Sequence, residues 1–132
     1  MLCIHNVDVL LTPADALVLT FDGTAGPTRD LERILGNVAR QFIRRFPEVD
    51  LLDLIEGQVD FPVGLGSVVA VDVGAPPFPL VILASTLHHV HSLDERARRA
   101  VAKQSFSAAL RLAREHSVTR LATTILQGGW RL

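Results

Sequence analysis

The sequence predicts an α/β fold with a mixed, mostly parallel central sheet, and three observations carry that reading. Residues 80–86 and 118–126 are strand-like runs separated by one long helix-forming segment, and strands joined by such a crossover lie parallel in one sheet. Ala16-Leu17-Val18-Leu19-Thr20-Phe21 is a continuous apolar run, the pattern of a strand covered on both faces. Residues 67–73 form a further strand, and a Gly/Pro turn at 74–79 joins it to the run at 80–86 as an antiparallel, hairpin-like pair.

A chain of 132 residues suits one domain, 1–132, and 48% apolar against 20% charged residues supports a sizeable core. The net charge of −1 makes no electrostatic case for nucleic acid or an acidic membrane surface. Arg40, Arg44 and Arg45, and likewise Arg96, Arg98 and Arg99, read as solvated helix faces. Cys3 is the single cysteine, so no internal disulfide is possible, and a reducing compartment, the cytoplasm, fits. No basic segment followed by an apolar stretch opens the sequence, so no signal peptide is expected. The most apolar stretch, 65–87, contains Asp72 and three prolines and reads as two strands and a turn, not a membrane span.

In chain order, residues 1–11 are β-rich, and Thr12-Pro13-Ala14-Asp15 forms a turn. After the apolar strand, Asp22-Gly23-Thr24-Ala25-Gly26-Pro27-Thr28 is a glycine loop leading into a helix, with Thr28 as N-cap and Asp30 in the first turn. That helix runs to about Phe46, with Leu31, Ile34, Leu35, Val38, Phe42, Ile43 and Phe46 on one stripe; Pro47 stops it. Gly36 within it costs about 1 kcal/mol against Ala, so either a neighbour packs closely there or the helix bends. Residues 49–57 make a short helix capped by Asp50 and ended by Gly57, and 58–66 a loop or short strand. The long helix spans 93–116, with Ser92 as N-cap and Asp94 and Glu95 in the first turn. Its buried stripe is Ala102, Phe106, Ala109 and Ala113; Arg96, Lys103, Ser107, Arg111 and Arg114 face away. The last strand, 118–126, ends in Gln127-Gly128-Gly129-Trp130.

Two glycine loops, Gly23 to Gly26 and Gly128-Gly129, therefore follow strands that lie parallel, which places both at the carboxyl edge of the sheet. Open α/β sheets bind ligands there, and a helix N-terminus beside the first loop favours phosphate. Ordinary turns are the competing reading. Neither loop is a dinucleotide fingerprint or a P-loop. His88, His89 and His91 cluster after a strand, but only His89 and His91 share a face and no further ligand has suitable spacing, so no metal site is expected. Ser85 and Ser105 lack a nucleophile-elbow context. Asp22, opening the first loop, is the one acid to weigh as a general base, against a turn or capping role.

The pattern resembles a macro domain, the ADP-ribose-binding fold. Val7-Asp8-Val9 precedes Asp15-Ala16-Leu17-Val18 at the spacing of that family's Gly-Asp-Ile element and Asp-Ala-Ile-Val strand. Residues 65–87 resemble its paired central strands, with Leu87-His88 at the end of the second. Leu110-Arg111-Leu112-Ala113-Arg114-Glu115 resembles the Leu-x-Leu-Ala-x-Glu end of its long helix, and 123–130 its final phosphate loop. The strand at Ala16 with its short loop is also similar to the macro-like N-terminal domain of leucyl aminopeptidases, which is not catalytic. The resemblance implies a three-layer α/β/α architecture. It also implies a site in which Asp8, with Val9, receives the adenine amino group. Backbone N–H groups of the loop Asp22, Gly23, Thr24, Ala25 and Gly26, and of Gln127, Gly128, Gly129 and Trp130, would hold the diphosphate. No cofactor is implied.

The sequence also departs from the family. Its Asn-Ala-Ala-Asn run is here Leu19-Thr20-Phe21-Asp22, so the asparagines are absent at Leu19 and Asp22, and the triple-glycine loop is shortened. The family's last helix and strand would follow Trp130. A sheet without them exposes an edge and apolar surface, so a homo-oligomer, or completion by another chain, is expected. Three functions stay open: a module binding ADP-ribose or a related nucleotide; a degenerate domain without ligand, serving assembly or regulation; and an ADP-ribosyl hydrolase in which Asp22 orients water.

Overall fold

The computed structural model describes residues 8–25, 31–87 and 93–123. Its centre is β1 (Ala16–Phe21), whose six residues are all buried. β3 (Leu80–Ser85) pairs with β1 in parallel along its whole length, from Ala16 opposite Leu80 to Phe21 opposite Ser85. β2 (Val68–Asp72) pairs antiparallel with β3, and β4 (Leu121–Thr123) pairs in parallel with β1, giving the order β2-β3-β1-β4. The mixed, mostly parallel sheet expected from the sequence is present. The crossover between β3 and β4 passes over β1, so its two strands are parallel without being neighbours.

Alternation along the strands sorts the core into two layers. Leu17, Leu19 and Phe21 of β1 and Val81 and Leu83 of β3 pack against α1 (Asn37–Arg45) and α2 (Leu51–Gln58), through Ala39, Phe42, Leu51 and Ile55. Ala16, Val18, Ile82 and Ala84 face the other way, onto Ala109 and Ala113 of α3 (Glu95–Glu115). The two layers are built differently. Phe42, Phe46 and Phe78 fill the first with tilted and edge-on ring contacts, centroids 4.9 to 6.3 Å apart. Alanines on both sides of the second let α3 lie close on the sheet.

Several local expectations are corrected. The helix read over 28–46 is in its described part a 3-10 turn, Leu31–Ile34, followed by α1. The break falls at Gly36, which is the N-cap of α1: its N–H donates to the Thr20 carbonyl at 2.8 Å, and a Cβ there would lie 2.1 Å from Thr20 Oγ1. Close packing, one of the two reasons expected for a glycine here, is thus present. The expected strand over 1–11 is, at Val9–Leu11, a 3-10 turn capped by Asp8. Of the expected strand 118–126, residues 118–120 are not strand, Leu121 to Thr123 are, and 124–126 lie outside the described residues. The same edge of β1 is occupied further on, where Gly36 donates to Thr20 and Asp22 to Ile34. The N-cap of α3 is Asp94, whose carboxylate accepts from Ala97 N–H at 2.7 Å; Ser92 lies outside the described residues. On the inner face of α3, Ser105 is fully buried between the expected alanines. Asp50 does cap α2, accepting from Asp53 N–H.

Candidate functional site

Phe21 and Ser85 end adjacent parallel strands. The chain then goes from β1 to the α1 layer and from β3 to the α3 layer, on opposite faces of the sheet. Neighbouring parallel strands whose chains leave for opposite faces are the usual ligand position in open α/β sheets. Asp22, Gly23 and Thr24 follow β1 there, Ser85 closes β3 with Thr86 after it, and Gly23 and Ser85 meet in a hydrogen bond.

The first loop is tied down from within. Asp22 is fully buried, and its Oδ1 accepts from Thr24 N–H at 3.0 Å and from Thr24 Oγ1 at 2.6 Å. That is the turn-forming role weighed for it above. Gly23, in the 3-10 turn Gly23–Ala25, donates its N–H to Ser85 Oγ at 3.2 Å, and Ser85 Oγ donates to the Val63 carbonyl at 3.0 Å. Val63 N–H closes the circuit on the Gly23 carbonyl at 2.8 Å. A Cβ on Gly23 would lie 2.6 Å from Val63 Cβ, so only glycine fits under the 61–64 segment. Next along the chain, Thr86 has a buried hydroxyl with no partner among the described residues, although its backbone N–H reaches the Phe21 carbonyl. Sequence reasoning weighed Ser85 only as a nucleophile and missed Val63. The available signal was a hydroxyl closing an otherwise apolar strand.

Asp8 occupies a different place. One oxygen accepts from Leu10 N–H at 3.0 Å, and the other meets Arg45 Nη2 at 2.5 Å. The Arg45 hydrogen bond, helped by the Leu10 N–H, holds this exposed carboxyl below its ordinary pKa. It is therefore an ionised acceptor with lone pairs left over. Arg45 ends α1 and Gly36, beside Thr20 and Asp22, begins it; α1 rises roughly 12 Å between its ends. Val9 follows Asp8 in its 3-10 turn, half-buried against the α1 layer. Gly26, Gln127, Gly128, Gly129, Trp130 and the histidines 88, 89 and 91 lie outside the described residues. Among the described residues no three His, Cys, Asp or Glu side chains group to hold a metal, and no helix is long and apolar enough to cross a membrane.

Compared by sequence, the chain matches no family model and no curated protein. Compared by structure, it is similar to the macrodomain of Mycobacterium tuberculosis DarG, with a TM-score of 0.64 and 23% identity over 99% of this chain and 82% of that one. It is also similar to the macrodomain of Thermus aquaticus DarG, with a TM-score of 0.57 and 21% identity over 94% of this chain and 76% of that one. Identities this low speak to fold. With the three-layer arrangement and the mixed sheet already described, they establish that the chain has a divergent macrodomain fold.

Proposed function

We propose that this chain is a nucleotide-binding module that takes ADP-ribose or a related phosphate-bearing nucleotide in the crevice between the ends of β1 and β3. The observation that carries the reading is the divergence of the two exits at that point, with the Asp22–Gly23–Thr24 turn on its rim. Asp8, kept ionised by Arg45, is the acceptor for the adenine amino group, at the far end of α1. An elongated ligand runs from Asp8 along α1 to the crevice. The diphosphate takes its N–H donors from the rest of the set that the sequence assigns, Ala25, Gly26 and Gln127 to Trp130, because Gly23 and Thr24 have given theirs to Ser85 and Asp22. Titration calorimetry with ADP-ribose tests the reading: saturable heat that falls at least tenfold in affinity in Asp8→Ala supports it, and no heat at millimolar ligand overturns it.

The closed circuit of Gly23, Ser85 and Val63 favours a second reading, a macrodomain scaffold without ligand whose role is assembly or regulation. The same titration separates the two.

A further inference from the structure

Charge is segregated along this chain. Residues 46–95 contain eight carboxylates and no Lys or Arg, whereas residues 96–132 contain eight Lys or Arg and one carboxylate, Glu115. The fold turns these blocks into opposite faces. α2 lies on one side of the sheet and α3 on the other. On α3, Arg96, Arg99, Lys103, Arg111 and Arg114 are exposed and fall on one stripe at helical spacing, about 27 Å long at 1.5 Å per residue. No acidic residue interrupts it between Glu95, which pairs with Arg99 at 2.6 Å, and Glu115. Across the molecule, Glu48, Asp50, Asp53, Glu56 and Asp60 are exposed on and around α2; Arg44 and Arg45, at the end of α1 in the same layer, are the nearest cations in sequence, and Arg45 is paired with Asp8.

We propose that the α3 stripe of one copy of this chain docks on the acidic α2 face of a second copy. The five cations of the α3 stripe match in sign and number the five carboxylates of the α2 segment, so the chain carries both halves of the contact. Because the faces lie on opposite layers, the contact is heterologous: it leaves one basic and one acidic face free and extends head to tail with concentration. The competing isologous dimer, through antiparallel pairing of two β2 edges, continues the sheet with equal faces on the same side. It sets α2 beside α2, acid against acid, and electrostatics works against it. Contacts made of exposed ion pairs are individually weak, so the association is weak and strongly salt-dependent.

Sedimentation velocity of the full chain tests this. In about 10 mM salt, where the screening length is about 30 Å, the weight-average sedimentation coefficient rises with protein concentration; in about 1 M salt, where it is about 3 Å, the rise disappears. Reversing the stripe (Arg96→Glu, Lys103→Glu, Arg111→Glu) or the acidic face (Asp53→Lys, Glu56→Lys, Asp60→Lys) abolishes association in each variant alone. Mixing the two variants restores it, because one then has two acidic faces and the other two basic ones. All six side chains are exposed, and a thermal melt confirms that both variants fold. A wild-type chain that stays monomeric in low salt overturns the proposal. So does association strengthened by salt, the mark of the β2-edge dimer, or retention of a polyanion such as heparin by α3 without self-association.

Discussion

Ser85 joins two segments that the chain keeps far apart. Its hydroxyl accepts from Gly23 and donates to Val63, 62 and 22 residues away, and it is fully buried. Ser85→Ala strands a buried N–H and a half-buried carbonyl at once. Each unsatisfied group costs about 1–3 kcal/mol, so a loss of at least that size is expected in urea denaturation, with an unchanged m-value. Gly36 presents the opposite case, a residue whose lack of a side chain is the point. Ala there meets Thr20 Oγ1 at 2.1 Å and the Thr20 carbonyl at 3.0 Å. Gly36→Ala is expected to destabilise by about 1–3 kcal/mol through overpacking. Thr20→Ala in the same chain recovers part of that loss by removing the nearer atom, and the non-additivity in a double-mutant cycle measures the contact.

At the scale of elements, the described part of β4 is three residues, and much of its hold on β1 lies outside the ladder. Asp15, just before β1, accepts through Oδ2 from Thr119 Oγ1 at 2.7 Å and from the N–H groups of Thr119 and Arg120 at 2.9 Å. The N–H groups of Asp15 and Ala16 return to the Arg120 carbonyl. The Thr119 hydroxyl, then the two N–H groups, lower the pKa of this exposed carboxyl. A carboxyl with a lowered folded-state pKa stabilises fully above its unfolded value, about 3.9, and loses that contribution as pH falls through the lower folded value. The stability difference between wild type and Asp15→Ala is therefore expected to be constant from neutral pH down to about 5 and to shrink below about 4. Chemical denaturation at a series of pH values reads it directly, and a difference that grows on acidification contradicts the role given to Asp15. The same clasp explains why α3 and β4 are joined by so short a turn, with the helix ending at Glu115 and Thr119 already bound to Asp15.

For the whole molecule, the sequence was most readable where one physical demand dominated. Ala16–Phe21 is buried on both faces, and an unbroken apolar run is what that burial requires. The two-layer core, the antiparallel β2–β3 pair and the long crossover helix follow from equally local patterns. What escaped reading depends on contacts distant in sequence: Gly36 looked like a helix interior until Thr20 was placed beside it, and Ser85 like a strand residue until Gly23 and Val63 met at its hydroxyl. The candidate site divides in the same way. Asp8 was marked by its spacing from Asp15, but its partner Arg45, 37 residues on, was not. That pairing sets the last expectation. Asp8 is fastened to the end of α1 and the crevice lies by its beginning, so a ligand touching both must brace α1 against the sheet. Ligand at a hundred times its dissociation constant stabilises the folded state by about 2.7 kcal/mol, which for a domain of this size raises the melting temperature by roughly 10 °C. ADP-ribose is expected to produce that shift, with hydrogen exchange slowed along Asn37–Arg45 as well as around Asp22. Ribose 5-phosphate, which lacks the adenine and reaches only the crevice, should slow exchange around Asp22 alone. If ADP-ribose raises the melting temperature but leaves exchange along α1 unchanged, Asp8 is not where its adenine lies.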